Sequence, residues 1–427
     1  MSKTTLSKPS KPPTKKKVKP ERQFSVLPST TMLIIGFFVS VIGAMFLAHI
    51  VVQPKIKAEY FDLGEPIKLE GVLAVNNRLG DHEILLEDQV FGPESLAINE
   101  KNGLLYTGLK TGLICEIDAT LKKPRILRAV RLTSVEDCDG SYGQMAKCGR
   151  PLGLRFNPYG ELLVIDAYLG LYAISWDDEK TVKVLGAGEL PINDDNAPPV
   201  RYLNDFDFLP DGRIILSESS TKFDDRDCIY DIFEHKPNGR LLIYDPRKKD
   251  LRVLKDGLYF PNGVQVAIEK GVTKDDPIRV FYSEMGMARI MTIWVPIDPY
   301  SKKPIRTKVL VDNLPGYPDN IRLTKKGQLL VPIPAQRTND DRYVEKMPHV
   351  REYLTKIFSP QLFNWIGQHV SNSNGLLLKV NIETGQIIES YHDPTGKIQG
   401  ITTAIDEGND HMLLGNDANY YIARVKM

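Results

Sequence analysis

Apolar and polar residues alternate in five short segments of the chain, and the five segments share one frame. A head residue is followed by apolar residues at positions +2 and +4, and a glycine comes eight or nine residues after the head. Alternation of this kind predicts half-buried strands, and a glycine turn before a second apolar run predicts a hairpin. The apolar pairs are Leu96/Ile98, Leu154/Phe156, Phe206/Phe208, Val264/Val266 and Ile321/Leu323.

The length of this repeat predicts the fold. Successive heads are 58, 52, 58 and 57 residues apart, and a weaker sixth copy begins near Thr403. A period of roughly 50 residues holds about four antiparallel strands, the unit of a β-propeller, whereas solenoid repeats are shorter. We therefore expect an all-β, six-bladed propeller over residues 66–427, with a partly helical insert at about 335–372. Both ends of this region, 67–75 and 421–425, resemble strands, and the sequence leaves open whether they pair.

A basic segment and an apolar segment precede the propeller. The first 22 residues contain seven lysines, one arginine, four prolines and a single acid, and such a composition predicts a disordered tail, here taken as residues 1–30. Residues 31–52 carry no formal charge, and a helix of that length reaches about 33 Å, enough to cross a bilayer. Residues 53–65 are interpreted as a linker.

The apolar segment has two interpretations, a membrane anchor and a cleaved signal peptide. The sequence after it, Gln53-Pro54-Lys55, does not resemble a cleavage site with small residues. The preceding lysines favour a cytosolic N-terminus. We therefore predict a single-pass type II membrane protein with one transmembrane helix and a lumenal or extracellular propeller. The net charge of +1 combines this basic tail with a mildly acidic propeller, in which nothing indicates nucleic-acid binding.

The four cysteines suggest one disulfide in such a compartment. Cys138 and Cys148 flank a short loop between successive blades, and we expect them to pair. Cys115 and Cys228 are left open, because four cysteines allow three pairings. No Cys-x-x-Cys motif is present, which argues against a zinc knuckle or a dithiol redox site.

The head residues themselves suggest a metal site. Four heads are polar, namely Glu94, Asn204, Asn262 and Asp319, while the fifth is Leu152. Each polar head taken singly is explained by a turn. However, equivalent positions of a ring converge on one point, and two acids with two amides form a set of oxygen donors that suits Ca²⁺ better than Zn²⁺. We therefore predict a calcium site in the central channel.

Other candidate groups are weaker. The histidines show no metal-ligand spacing, and Ser217, Ser219 and Ser220 lack a Gly-x-Ser-x-Gly elbow. The charged run Asp224–Asp227 is interpreted as a solvated loop.

Several motifs make the chain resemble a known family. They are Cys-Gly-Arg-Pro-Leu-Gly-Leu-Arg-Phe from Cys148, Ser-Ser-Thr-Lys-Phe from Ser219, Gly-Arg-Leu-Leu-Ile-Tyr-Asp from Gly239, Pro-Asn-Gly-Val from Pro261 and Pro-Gly-Tyr-Pro-Asp-Asn-Ile-Arg from Pro315. With the basic tail and anchor, they resemble the animal branch of the strictosidine synthase-like family. That resemblance implies a six-bladed propeller related to the calcium-dependent paraoxonases.

The resemblance also implies roles for single residues. It assigns the catalytic calcium of the paraoxonases to Glu94, Asn204, Asn262 and Asp319, with Asn320 beside them. Three departures limit the transfer. Leu152 stands where the paraoxonases have a histidine, Ser95 replaces an acid of their second calcium site although Asp205 matches, and Thr403 lies where the plant synthase has its glutamate.

These observations support two hypotheses of different classes. The first is a calcium-dependent hydrolase of small hydrophobic esters or lactones, resembling an arylesterase, with Asp319 as base or nucleophile. In it, Phe206, Phe260 and Tyr317 would line the mouth of the site and residues 335–372 would form a lid. The second is a membrane-tethered binding propeller in which calcium is only structural. The missing histidine favours the second hypothesis.

Overall fold

A computed structural model describes residues 30–178, 180–267, 276–298, 305–363, 365 and 374–427, except the side chains of 48 and 49. The chain divides into two compact units, Met1–Val52 and Gln53–Met427. The predicted tail, apart from residue 30, lies outside the described residues, as does part of the predicted insert (364 and 366–372).

The described part of the first unit forms the helix α1 (Thr30–Val51), which agrees with the predicted span to within one residue at each end. It has 22 residues, its side chains are exposed where they are described, and its apolar composition is sufficient to cross a bilayer. In the part of the chain that the structure describes, it is the one helix with this length and composition.

The second unit is a six-bladed propeller, which confirms the predicted fold. Each blade is a four-stranded antiparallel sheet, and the inner strands contact one another in a closed ring. From the inside outward, blade 1 has strands Leu96–Ile98, Leu105–Gly108, Leu113–Asp118 and Arg125–Arg131; blade 2 has Pro151–Phe156, Leu162–Asp166, Gly170–Ser175 and Lys180–Gly186; blade 3 has Tyr202–Phe208, Ile214–Ser220, Gly239–Asp245 and Asp250–Leu258. Blade 4 has Pro261–Val266, Ile278–Glu284, Arg289–Val295 and Arg306–Val311; blade 5 has Arg322–Leu323, Gln328–Pro332, Gly375–Asn381 and Ile387–Asp393; blade 6 has Ile401–Gly408, His411–Asn416, Ile422–Lys426 and His82–Leu85.

Blade 6 closes the ring by joining the two ends of the unit. Its outer strand, His82–Leu85, comes from the N-terminal side and pairs antiparallel with Ile422–Lys426. The sequence left residues 67–75 as a candidate for this pairing. Within that segment, Gly71–Leu73 forms a 3₁₀ helix, and Ser390 of blade 5 donates a hydrogen bond to the Val72 carbonyl (2.7 Å).

The alternating pattern produces the core between blades. In the five frames that the sequence shows clearly, the +2 side chain is at most 1 % exposed, because it points from the inner strand into the space between neighbouring sheets. Leu154 of blade 2, for example, packs in one cluster with Ala97 and Tyr106 of blade 1. The local pattern therefore determines both the strand and the face that it buries.

The helical segments gather at one end of the ring, which we call the head end. Because strands alternate in direction, the loop before strand 1 and the loop between strands 2 and 3 lie at the end where the inner strand begins. The elements in these loops are α2 (Tyr142–Cys148), 3₁₀ turns at Asp225–Asp227 and Met285–Met287, α3 (Cys228–Glu234), a two-stranded sheet of Gly316–Tyr317 with Ala335–Gln336, α4 (Asn339–Glu345) and α5 (Pro348–Ile357).

One disulfide braces this end. Cys138 and Cys148 are bonded with their Cα atoms 5.8 Å apart, which confirms the predicted pairing. Cys115 is buried and Cys228 is half-buried, and both are free thiols. Burial raises the pKa of the Cys115 thiol to about 12, so it is unreactive at neutral pH.

Candidate metal centre

Irregular pairing places the head residues. In blades 2, 3 and 4, the ladder between the first two strands shifts register at Leu152, Asn204 and Asn262, and blade 6 has the same shift beside Thr403. In blades 1 and 5 the paired part of the inner strand begins only after the head. A bulge releases residues from the pleat and redirects their side chains, so the heads are freed from the alternation that buries their neighbours between blades.

Hydroxyl groups of adjacent blades fix the backbone at the heads. Ser217 donates to the Asn262 carbonyl, Ser283 to the Asp319 carbonyl (2.9 Å) and Thr402 to the Glu94 carbonyl (2.6 Å). Each bond joins one blade to the head of the next. Ser219 likewise donates to the Pro261 carbonyl (2.8 Å), so these serine hydroxyls hold backbone together.

A glycine next to Asn262 allows two inner strands to approach closely. A Cβ atom on Gly263 would lie 2.4 Å from the Ile321 nitrogen and 2.6 Å from the Asp319 carbonyl oxygen. Any side chain there would separate blades 4 and 5 at the heads. Gly263 therefore brings Asn262 and Asp319 together.

The polar heads share one property: each buries an oxygen atom that has no hydrogen-bond partner. The side chains are at most 7 % exposed. The atoms are Glu94 Oε2, Asn204 Oδ1, Asn262 Oδ1, Asp319 Oδ1, Asn320 Oδ1 and Thr403 Oγ1. A buried oxygen without a partner costs about 1–3 kcal/mol. Five of these oxygens lie at equivalent head positions and the sixth on Asn320, so together they are unfavourable unless a cation lies among them.

The heads also contact one another. The Asn320 amide donates a hydrogen bond to Glu94 Oε1, and the Asn262 side chain is close enough to Asp319 to lower the pKa of its carboxyl group. The backbone nitrogen of Asn320 donates to the Thr402 carbonyl (3.0 Å), next to Thr403. The structure therefore brings together the predicted residues of blades 1, 4 and 5; Asn204 occupies the equivalent bulge in blade 3.

The carboxyl groups of the two acidic heads, Glu94 and Asp319, are buried close together, so each disfavours ionisation of the other. Burial raises the pKa of Glu94 to about 8, although Arg150 and the hydrogen bond from Asn320 oppose this shift. Burial also raises the pKa of Asp319 well above its ordinary value, and the nearby Glu94 carboxylate adds to the effect. A cation among these oxygens would reverse both shifts.

The donor types fit a hard cation. Carboxylate, amide and hydroxyl oxygens are the ligands that Ca²⁺ takes in a flexible shell. Among the described residues, no group of three or more His, Cys, Asp or Glu side chains could hold a metal, so a site for a softer metal has no support there. Thr403 was not predicted as part of this shell; its position in the sixth frame was the only signal for it in the sequence.

Leu152, the apolar head, belongs to an apolar wall beside these oxygens. It is buried in a cluster with Ala167, Tyr202 and Phe260, against which Met285 also packs. The Asn262 amide lies 4.0 Å from the sulfur of Met285. The prediction that Phe260 lies at the site is therefore consistent with the packing.

The sequence also predicted that Phe206 and Tyr317 line the mouth of the site. Phe206 does not line the mouth: it is fully buried in the core between blades 2 and 3, because it occupies the +2 position of its frame. Tyr317 is half-buried and pairs with Ala335 in the two-stranded sheet at the head end.

The sequence suggested that the charged run at Asp224–Asp227 is a solvated loop, and the structure shows that this interpretation is wrong. Its residues are half-buried, and Asp225 accepts a hydrogen bond from Tyr202 of the apolar wall (2.9 Å). Aspartates in this run are paired with side chains far away in sequence, which the local composition does not reveal.

An arginine sits next to Glu94. Arg150 is fully buried and donates to the Gly92 carbonyl (3.0 Å) and to Asp417 (2.6 Å), which also binds Lys110 (3.0 Å). Sequence reasoning missed this group, because its partner Asp417 is 267 residues away. It provides positive charge close to Glu94.

Asp205, the residue after the blade 3 head, already has a cationic partner. Arg322 binds its carboxylate with two hydrogen bonds (2.6 and 3.0 Å) and also donates to Ser95 (3.2 Å). Asp205 further accepts from the backbone nitrogen of Val264 (2.8 Å). This carboxylate is therefore neutralised by a side chain of the protein.

Comparison with known proteins agrees with this architecture. The family model "Strictosidine synthase" matches residues 204–298, and "Strictosidine synthase-like, N-terminal" matches residues 71–117. Adipocyte plasma membrane-associated protein of Salmo salar is 31 % identical over 90 % of this chain and 88 % of its own length; the Homo sapiens protein is 30 % identical over 93 % and 89 %. A solved structure named as a candidate gluconolactonase superposes with a TM-score of 0.50 at 10 % identity, covering 81 % of this chain and 92 % of its own. That likeness concerns the fold alone.

Proposed function

The chain belongs to the strictosidine synthase-like family, and on that premise we propose that it is a membrane-anchored, calcium-dependent hydrolase of small esters or lactones. The observation that carries the proposal is the set of six buried, unpartnered oxygens, five at equivalent head positions of the ring and one on the adjacent Asn320. Calcium would be held by Glu94, Asn204, Asn262, Asp319 and Asn320, with Thr403 as a further donor.

Anchoring rests on α1 and on what surrounds it in sequence. The helix is long and apolar enough to cross a bilayer, and basic residues precede it, which favours a cytosolic N-terminus. The bonded cysteines, Cys138 and Cys148, suit the oxidising compartment that this topology implies for the propeller.

Bound calcium would supply polarisation of the substrate carbonyl and stabilisation of the negative charge that develops on its oxygen. The protein's own contribution is positional. Asp319 Oδ1 has no hydrogen-bond partner, so it can accept the proton of a water molecule that attacks the carbonyl carbon. The Asn262 side chain beside it favours the charged form of the Asp319 carboxyl group, the form that accepts a proton.

The apolar wall suggests the kind of substrate. Leu152, Tyr202 and Phe260 form an apolar cluster next to the polar heads. Such a surface binds a hydrophobic acyl or alkyl group while excluding water. Charged esters are disfavoured there because their desolvation has no compensation.

The test measures hydrolysis of phenyl acetate by the full chain in detergent, with calcium and with a chelator. The proposal expects turnover that requires calcium, and a loss of about 100-fold or more in kcat/KM for Asp319→Asn, the size typical of a removed general base. Asp231→Asn is the matched control, since Asp231 is an equally buried carboxylate bound to Ser220 and Asn238, remote in sequence from the heads. Turnover indifferent to chelator and to Asp319→Asn would contradict the proposal.

A second candidate function follows from Leu152. A leucine at the blade 2 head offers no proton transfer, so the same shell can serve a membrane-tethered binding propeller in which calcium only joins the blades. Calcium that raises the melting temperature, with hydrolysis never above background, would support this alternative.

A further inference from the structure

The helical insert of blade 5 has its polar and apolar sides exchanged. In α5, Arg351 and Thr355 are each only 2 % exposed. Large apolar side chains of the insert instead point outward and are 39–66 % exposed; we call them the insert surface: Tyr343, Met347, Val350, Ile357 and Leu362. Amphipathic helices of water-soluble proteins bury their apolar face, so this helix has the orientation expected when something apolar lies outside it.

The inward polar side is fixed by hydrogen bonds. The Arg351 guanidinium donates to the carbonyls of Glu59, Phe233, Val344 and Glu345. A buried guanidinium with this many acceptors cannot rotate outward without losing all four hydrogen bonds. Val350 and Ile357 are seven residues apart and thus share a helix face, and Arg351 keeps that face exposed.

The segment that follows α1 docks on the same helices. Lys57 donates its backbone N–H to Glu234 of α3 (2.8 Å), Ala58 to Glu352 of α5 (3.0 Å) and Leu63 to Glu345 of α4 (3.1 Å). Ile56 is buried, and Phe61 stacks on His235 with ring centroids 3.4 Å apart. The chain is therefore attached to the insert within a few residues of the end of α1.

The reach of that connection is short. α1 ends at Val51, and five residues of fully extended chain span at most about 18 Å to Ile56. The segment docked on α3, α4 and α5 is therefore joined to the predicted membrane helix by no more than that length of chain. A patch of exposed apolar side chains at such a position is typical of an interfacial contact.

We propose that the insert surface is a lipid-binding surface that rests in the interface of the bilayer crossed by α1. This inference rests on the proposed membrane anchoring. Between residues 339 and 363 four acids balance four bases, so the occupant is the acyl and glycerol region of neutral lipid, and binding should be insensitive to salt.

The position of the helices makes this surface relevant to the channel. α3 contacts α5, and its residues Cys228 and Ile232 pack against the apolar wall that contains Leu152. Lipid bound at the insert surface would therefore lie at the head end of the propeller, and substrates would come from the hydrophobic esters or lactones that partition into lipid.

The test uses the full chain in nanodiscs of neutral lipid, with spin labels on Val350→Cys or Ile357→Cys. Collision with oxygen and with a water-soluble nickel complex reports whether a label lies in lipid. Val182→Cys is the matched control, because Val182 is 59 % exposed on the outer strand of blade 2. The unsubstituted chain gives the background from Cys115 and Cys228, and melting temperatures verify folding.

Lipid contact predicts a ratio of oxygen to nickel collisions severalfold higher at positions 350 and 357 than at 182, unchanged by salt. Equal ratios at all three positions would overturn the inference. Immobile labels shielded from both reagents would also overturn it, because a protein or a second copy of the chain would then cover the surface. Release of the unlabelled chain from membranes by alkaline carbonate would overturn the membrane anchoring, and this inference with it. If the chain is retained, the anchoring stands, and a negative labelling result overturns only the lipid contact of the insert surface.

Discussion

The channel heads and the insert surface depart from ordinary packing in opposite ways. At the heads, oxygens of Glu94, Asn262 and Asp319 are buried without hydrogen-bond partners. At the insert surface, Val350 and Ile357 are exposed without apolar cover. Each arrangement costs free energy in isolation. Our two proposals explain these departures in the same way: each region would bind a partner of the opposite character from its surroundings, a cation inside and lipid outside.

The largest effect is expected at the heads. Calcium at 1,000 times its Kd should raise the free energy of unfolding by about 4.1 kcal/mol. Glu94→Gln should remove most of this gain, because the substitution takes a negative charge from the shell. Thermal melting with calcium and with chelator measures the stabilisation of the unsubstituted chain and of Glu94→Gln. The control Asp231→Asn should be stabilised by calcium as much as the unsubstituted chain. If calcium stabilised Glu94→Gln as much as the unsubstituted chain, the heads would not be the calcium site.

The inward side of α5 provides the next test. Arg351→Met should cost about 3 kcal/mol in local stability, since several carbonyls lose a charged donor. Hydrogen exchange at the amides of Lys57, Glu59 and Leu63 should accelerate accordingly. Arg78→Met is the control, because Arg78 forms an exposed ion pair with Glu389. Unchanged exchange would show that the guanidinium does not hold the linker on the insert.

Acid should weaken the same junction. Burial, with Arg351 nearby, lowers the pKa of His235 to about 3 from its ordinary 6.5. The unfolded chain therefore takes up a proton near pH 6.5 while the folded chain does not. Stability is fully present above pH 6.5 and falls as the pH decreases toward 3, by about 2 kcal/mol at pH 5. In urea unfolding, the free energy of unfolding of His235→Phe should fall by about 2 kcal/mol less between pH 7 and pH 5 than that of the unsubstituted chain. An equal fall in both would show that another group causes the pH dependence.

The smallest effect is expected on the insert surface in detergent. Ile357→Val should change the free energy of unfolding by less than about 0.5 kcal/mol. The same change at Ile293, which is fully buried in blade 4, should cost about 0.5–1.5 kcal/mol. Urea unfolding compares the two. Equal costs would mean that Ile357 packs against the protein, and the contrast between the two regions would then fail.

The sequence by itself determined the repeat and much that follows from it. The +2 apolar positions, five heads with a weaker sixth near Thr403, the apolar span at residues 31–52 and the bonding of Cys138 with Cys148 were all predicted, because alternation, apolar length and short separations are local properties. The heads were identified as a set before any contact was known, since equivalent positions of a closed repeat must converge.

The tertiary structure decided what is not local. The Asn320–Glu94 hydrogen bond joins residues 226 apart, the Arg150–Asp417 pair joins residues 267 apart, and the ring closes through His82–Leu85 rather than residues 67–75. Closeness in sequence to the head Asn204 also led to the wrong prediction that Phe206 lines the mouth of the site. The exchanged faces of α5 were equally invisible, because an amphipathic pattern shows that a helix has two sides, and only its neighbours decide which side turns inward.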